Sequence, residues 1–420
     1  SSAASDVYKR QKWYRLDNAA KIFPPSKNKY DAKIFRFSVS LKENVDKKIL
    51  EKALDKTLSE FPIFKSVLKR GFFWYYLEEA NIKAQVFEEH NRPCSRFDTN
   101  ALFEVTYFKK RINLEVNHAL TDGTGTLMFL KSLVAYYLDL KYDIKNTEII
   151  NPASTKESSL DSFKKYKTGK IRKTVSSSKL AYQIKDERYA ENKLKIIEGI
   201  APVSSLLKLA KKYNVTLTVY LTSVLIKSIG EAMDIKDRRK PIVIAIPVNL
   251  RNYYPSYTVR NFFNAVNISY KYNGEDIKEI AATVKEEFAK NLDEENIKNK
   301  MNNMAILEDI FILRLIPIFI KDLVLRYAYK FTDNYQTMTL SNIGIIKMPE
   351  SYQKYIDYFD VFISTSTIQL CMCSYLDKMV LSFTSQFESS EVEKNFFRYL
   401  ASEGIDIVIN TNKTGGNKNA

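Results

Sequence analysis

Residues 101–116 alternate apolar and polar side chains on either side of Lys109-Lys110-Arg111, the pattern of a β-hairpin with a basic tip. The hairpin runs straight into His118-Ala119-Leu120-Thr121-Asp122-Gly123, and residues 124–138 are then apolar on nearly every side, which predicts a helix buried in the interior. Few arrangements satisfy this order. The chain must turn from strand to helix inside the motif, and Gly123 tolerates the backbone angles such a turn demands. Along the second strand Ile112, Leu114 and Val116 share one face, and His118 keeps their parity if the extended geometry continues, so its imidazole is expected to point inward.

Only two histidines occur, His90 and His118, so any mechanism that needs an imidazole must use one of them. His90 sits between Glu89 and Asn91 in a polar stretch and reads as a surface residue. An imidazole, with an ordinary pKa of about 6.5, suits removal of a proton from an alcohol or amine at neutral pH. No serine nucleophile is needed if the substrate's own hydroxyl attacks an activated acyl group. The competing reading is a core histidine satisfied by backbone bonds, and the residues alone leave both open.

A chain of 420 residues exceeds the size at which one hydrophobic core stops growing, which predicts two lobes of roughly 150–250 residues each. An apolar share of 45% with only 11 Gly and 11 Pro excludes the disordered and fibrous classes. Lys and Arg number 65 against 49 Asp and Glu, a formal net charge of +16 that favours anionic partners such as phosphorylated cofactors or acidic lipid. The basic residues form no dense run, so nucleic acid is not expected as a partner. Three cysteines, Cys94, Cys371 and Cys373, are too few and too oddly numbered for a disulfide framework, which points to a reducing compartment. Cys371 and Cys373 lack the second pair or nearby His that zinc requires; core packing is expected of them, and no metal is expected.

The N-terminus shows no charged start, apolar stretch and cleavage site, so no secretory leader is predicted. The longest apolar stretch, residues 310–325, is broken by Arg314, Pro317, Lys321 and Asp322, whereas a spanning helix needs about 20 mostly apolar residues. No transmembrane segment is predicted; a buried helix is expected there, with membrane-surface contact as the lesser alternative. The whole is expected to be a cytoplasmic monomer.

Residues 33–41 alternate as a strand does, and 46–61 carry apolar residues at helical spacing up to Pro62. Strand-like runs follow at 63–68 and 71–77. Residues 151–180 are rich in Ser, Thr and Lys, the composition of a crossover between lobes. Beyond it come a strand near 194–200, helices at 204–213 and 217–233, and a fully apolar run at 242–246, which predicts a central strand buried on both faces. A strand at 263–270 and helices across 276–329 precede strands at 337–342, 360–366, 368–375 and 379–386, a helix at 390–402 and a strand at 405–409. The expected architecture is α/β. Residues 1–11 are set outside it as a disordered or non-native stub, 12–150 form a first lobe that carries the motif, 151–180 the linker, 181–409 a second lobe and 410–420 a polar tail.

Residues 116–126 resemble the active-site signature of the chloramphenicol acetyltransferase-like superfamily, the His-x-x-x-Asp-Gly acyltransferases that include alcohol acetyltransferases, plant acyltransferases, wax ester synthases and peptide-synthetase condensation domains. Trp13-Tyr14-Arg15-Leu16-Asp17-Asn18-Ala19-Ala20, Pro247-Val248-Asn249-Leu250-Arg251 and Ser341-Asn342-Ile343-Gly344 are similar to segments of bacterial alcohol acetyltransferase-like members, so the resemblance spans residues 12–409. It implies two lobes, each a mixed sheet with flanking helices, and a tunnel between them with His118 at its middle. The resemblance further implies acyl-CoA as co-substrate with no bound cofactor, a small alcohol or amine as acceptor, and His118 as general base. Asp122 would be structural, turned away from the substrate toward an arginine, for which Arg251 is the candidate. Gly123 would leave room for the substrate, and Thr339, Ser341 and Asn342 are candidate donors to the tetrahedral oxyanion.

The sequence also departs from the pattern. Asn117 stands where condensation domains and wax ester synthases usually carry a first histidine, and the Asp-Phe-Gly-Trp-Gly segment of plant members is absent. Ser364-Thr365-Ser366 resembles a motif of carnitine acyltransferases, in residue types common to strands. No glycine-rich phosphate loop is present, so scattered Lys and Arg would have to attract the phosphates of coenzyme A. Two alternatives remain: a condensation-like enzyme whose thioester arrives on an acyl carrier protein, and a catalytically inactive interaction protein in which His118 only packs.

Overall fold

The computed structural model describes residues 12–144, 155–169, 171, 172, 174, 179–190, 193–307 and 315–412. The stub at 1–11, parts of the expected crossover and most of the polar tail lie outside the described residues. Among those described, the strands in chain order are β1 (Trp13–Arg15), β2 (Ile34–Leu41), β3 (Ser66–Arg70), β4 (Tyr75–Glu79), β5 (Val86–Glu88), β6 (Phe103–Phe108), β7 (Arg111–Asn117), β8 (Lys195–Pro202), β9 (Ile242–Asn249), β10 (Phe263–Tyr270), β11 (Met338–Ile345), β12 (Ile356–Ile363), β13 (Ile368–Tyr375), β14 (Lys378–Ser385) and β15 (Val408–Thr411).

The hairpin of β6 and β7 turns through Lys109-Lys110, with Lys109 at φ 51°. It belongs to a five-stranded sheet in the order β12-β2-β7-β6-β5. Ile112, Leu114 and Val116 of β7 enter a core that also takes the apolar faces of the Lys47–Glu60 and Gly123–Tyr142 helices. The second of these helices ends where Asp143 takes a left-handed conformation, φ 51°, which cannot continue a right-handed helix. One edge of the sheet comes from far along the chain: β12 pairs antiparallel with β2, placing Phe359 opposite Val39 and Val361 opposite Phe37.

A seven-stranded sheet has the order β10-β9-β11-β13-β14-β8-β15. Here the apolar run expected as a central strand is β9, parallel to β11 and antiparallel to β10. Its Ile242, Ile244 and Ile246 pack with the Leu217–Ala232, Ile277–Asn291 and Glu391–Ser402 helices in a second core. Met338 and Leu340 of β11 point into the same core, so Thr339 and Ser341 project from the opposite face. β1, β4 and β3 form a small third sheet. All three cysteines are buried as free thiols.

Two expectations need correction. The run at 63–68 does not begin as a strand, because Pro62 starts a 3-10 turn, Pro62–Lys65, and β3 follows only at Ser66. Of the stretch expected as a buried helix, residues 310–314 lie outside the described residues, and the rest leads into a surface helix, Ile318–Asp333. Its residues turned toward the body are partly polar, Asp322 and Tyr329 among them, and most of its bulky apolar residues, though not Ile318 or Leu325, face outward. Composition alone could not reveal this reversal, since the direction in which a helix turns its faces is set by its partners. Among the described residues no single helix is long and apolar enough to cross a membrane; one bent pair, Val203–Lys212 with Leu217–Ala232, would be by composition, and its second member is a core helix.

Candidate active site

β7 ends at Asn117, and the next backbone N–H, that of His118, bonds to the Lys33 carbonyl at 2.9 Å, carrying the pairing with the segment before β2 one step further. The half-buried imidazole is held among aromatic rings. Phe23 stacks on it with centroids 4.2 Å apart and planes 15° apart, Phe35 lies at 4.8 Å and Phe263 at 5.6 Å. Its Nδ1 is 3.1 Å from Asn261 Oδ1. The Asn261 amide nitrogen donates to the His118 carbonyl at 3.0 Å and faces Asp17 Oδ2 at 3.5 Å. With that nitrogen committed as donor, the amide oxygen accepts, so Nδ1 carries the ring proton and Nε2 keeps its lone pair.

Burial holds the His118 pKa below its ordinary value of 6.5; the charge of Asp122 and the bond to Asn261 pull the other way, and Lys33 adds to the lowering. The ring is therefore neutral at pH 7, the form that can take a proton. Asp17, buried behind Asn261, is pushed up to about 6 by burial, against Arg260 and the Ala20 amide, which favour its charge.

Asp122 turns away from this ring. Its carboxylate caps the Gly123–Tyr142 helix, accepting from the Gly125 N–H at 2.9 Å, and accepts from the Phe262 N–H at 2.8 Å. Arg251 meets it in bidentate fashion, Nη1 to Oδ2 at 2.8 Å and Nη2 to Oδ1 at 3.2 Å. The guanidinium also donates to the carbonyls of Thr258 and Arg260, so one arginine ties the motif to the loop that carries Asn261. Thr121 Oγ1 donates to the Val259 carbonyl of the same loop.

That loop packs directly on Gly125: a side chain there would lie inside van der Waals contact of the Val259 carbonyl and Thr121 Oγ1. Gly125→Ala is expected to cost about 1–3 kcal/mol or more, because the obstacle is backbone rather than a movable side chain. Urea unfolding measures it, and a parental midpoint would show that the loop can retreat.

The remaining candidates are spread more widely. At Gly123 the missing side chain makes way for Ile343 of β11, whose Cδ1 lies 3.1 Å from where a Cβ would stand, so the chain itself uses that space. Ile343, Ser341 and Thr339 follow one another at alternate positions along β11, interrupted by an irregularity between Asn342 and Gly344. Asn342 is occupied there, donating to Thr218 Oγ1 at 2.9 Å and accepting from the Gly344 N–H at 2.8 Å. His90 is exposed, with Nδ1 3.0 Å from the Glu88 carbonyl. Ser364 is buried and donates to Asp31 at 2.8 Å.

Sequence reasoning missed Asn261, Phe23 and Gly125. Asn261 stands in an unpatterned stretch, and nothing local marks it as the partner of a ring 143 positions earlier. Asp17 lay within a segment similar to family members, without a role attached to it.

No protein-family model and no curated protein matches the sequence. Solved structures do match in fold. Polyketide synthase associated protein 5 from Mycobacterium tuberculosis superposes with a TM-score of 0.65 at 13% identity, over 92% of this chain and 96% of that one. TRI101 from F. graminearum, complexed with coenzyme A and deoxynivalenol, gives 0.62 at 10% identity over 94% and 99%. The first condensation domain of the CDA synthetase gives 0.60 at 11% identity over 93% and 96%. The chain shares the two-lobed α/β fold of these acetyltransferase and condensation-domain structures.

Proposed function

We propose that this chain transfers an acyl group from a thioester, most simply acetyl from coenzyme A, to the hydroxyl or amine of a small acceptor, with His118 as general base. The observation that carries the reading is the Nδ1 contact to Asn261, which leaves an unprotonated Nε2 on a neutral ring. Nε2 takes the acceptor's proton as its oxygen or nitrogen bonds to the thioester carbonyl carbon. The tetrahedral oxyanion then collapses, the carbon–sulfur bond breaks, and the imidazolium returns its proton to the departing thiolate. Thr339 and Ser341, on the face of β11 away from the second core, are the donors proposed for the oxyanion; Asp122 and Arg251 hold the frame.

Coenzyme A is preferred as carrier of the acyl group because one fold neighbour is complexed with it, and because Asn117 replaces the first histidine usual in condensation domains. Thiol release from acetyl-CoA and longer acyl-CoA thioesters, across a panel of alcohols and amines, tests the reaction. Release no faster than without enzyme throughout the panel would sink it, and release only from an acylated carrier protein would move the donor.

The same assay reads the base. Because the lowered pKa belongs to a group active when unprotonated, kcat/KM rises with pH along an acid limb centred below 6.5 and is past its midpoint at pH 7. A midpoint above 6.5 would contradict a buried neutral ring.

A further inference from the structure

The Ile318–Asp333 helix wears its faces in reverse. Toward the body it turns Asp322, which accepts from Tyr75 Oη at 2.8 Å and pairs with Arg70 at 3.1 Å, and Tyr329, whose hydroxyl accepts from Lys33 Nζ at 2.8 Å. Asp333, at its end, is half-buried and accepts from Gln336 at 3.1 Å. Away from the body it presents Phe319, Leu323, Val324, Tyr327 and Phe331, each between 53% and 68% exposed. At 100° per residue these five and the exposed Ile320 fall within one arc of about 140°. Phe72, also exposed, continues the apolar surface at the helix N-terminus, where its carbonyl accepts from the Ile318 N–H.

The charges sort with the faces. Both acids of the helix are turned inward, whereas Arg326 and Lys330 are exposed at one edge of the apolar arc, the first about 20° outside it and the second about 20° inside. Outward apolar bulk, cations along one edge of it and no outward acid is the composition of a helix that lies in the plane of a bilayer interface. A second copy of a chain with net charge +16 would bring like charges against like, whereas an anionic surface complements them. We propose that this helix face docks the protein on anionic lipid bilayers. The docking is independent of the acyl transfer proposed above.

Co-sedimentation with vesicles, containing no acyl donor, tests it apart from turnover. The chain is expected to partition onto phosphatidylcholine vesicles with about one lipid in three replaced by phosphatidylglycerol, more weakly onto pure phosphatidylcholine, and less at high salt. Leu323→Ser, Tyr327→Ser and Phe331→Ser combined should lower partitioning by roughly 100-fold or more with an unchanged thermal melt. Arg326→Gln with Lys330→Gln should lower it about 10- to 30-fold and weaken its salt dependence. Absence of binding to the anionic vesicles overturns the proposal, as does a triple variant that partitions like the parent. A dimer that the triple variant disperses, without any vesicle binding, would assign the face to self-association instead.

Discussion

His118→Ala is expected to fold like the parent chain and to lose about 10²- to 10⁴-fold in kcat, the range a positioned general base supplies. The separation of the two effects follows from how the ring is held. It is half-buried, and its side chain is fixed by one hydrogen bond and by contacts with Phe23, Phe35 and Phe263. Losing the Phe23 stack costs about 0.5–1.5 kcal/mol, small against the stability of a two-lobed chain. Thiol release and thermal melting on the same preparation check both halves. A folded His118→Ala that turns over like the parent would falsify the assignment of the base.

Arg251→Ala should do the opposite and strike stability first. Arg251 and Asp122 have side chains only 9% and 6% exposed, and removal of the guanidinium strands a buried carboxylate while orphaning the Thr258 and Arg260 carbonyls. Breaking such a pair costs about 3–5 kcal/mol, several times the yield of a surface ion pair. Arg251→Lys should recover only part of that, because an ammonium cannot match both carboxylate oxygens and the two carbonyls at once. Activity is expected to fall in step, since the loop tied down by Arg251 carries Asn261. Denaturant unfolding beside the transfer assay distinguishes the roles: a variant of normal stability without chemistry would move Arg251 into the reaction itself.

What could be read from the chain and what could not divides along physical lines. Local order was legible: the alternation of β6 and β7 and the apolar run after Gly123 are patterns of neighbouring residues, and backbone geometry turns them directly into a hairpin and a buried helix. Pairings between distant segments were not. Nothing in the period of β12 says that it closes the sheet of β2, and nothing around Asn261 says that it will meet an imidazole. Arg251 could be named beforehand only because the segment around it is similar to those of known acyltransferases. The outward face of the Ile318–Asp333 helix was misread for a related reason, since hydrophobicity predicts burial only where something is available to cover it.

The capture of β12 by the first sheet also imposes an order of events during synthesis. β2 pairs with β7 on one side as soon as residue 117 has emerged, but its other side waits for Ile356, roughly 240 residues later. At roughly 5–20 residues per second, that wait is on the order of 10–50 s. Throughout it Phe35, Phe37 and Val39 belong to a strand with an open edge, the kind of surface that recruits chaperones or other nascent chains. A chain halted before residue 363 is therefore expected to fail by aggregating through β2, with its His118 motif already complete.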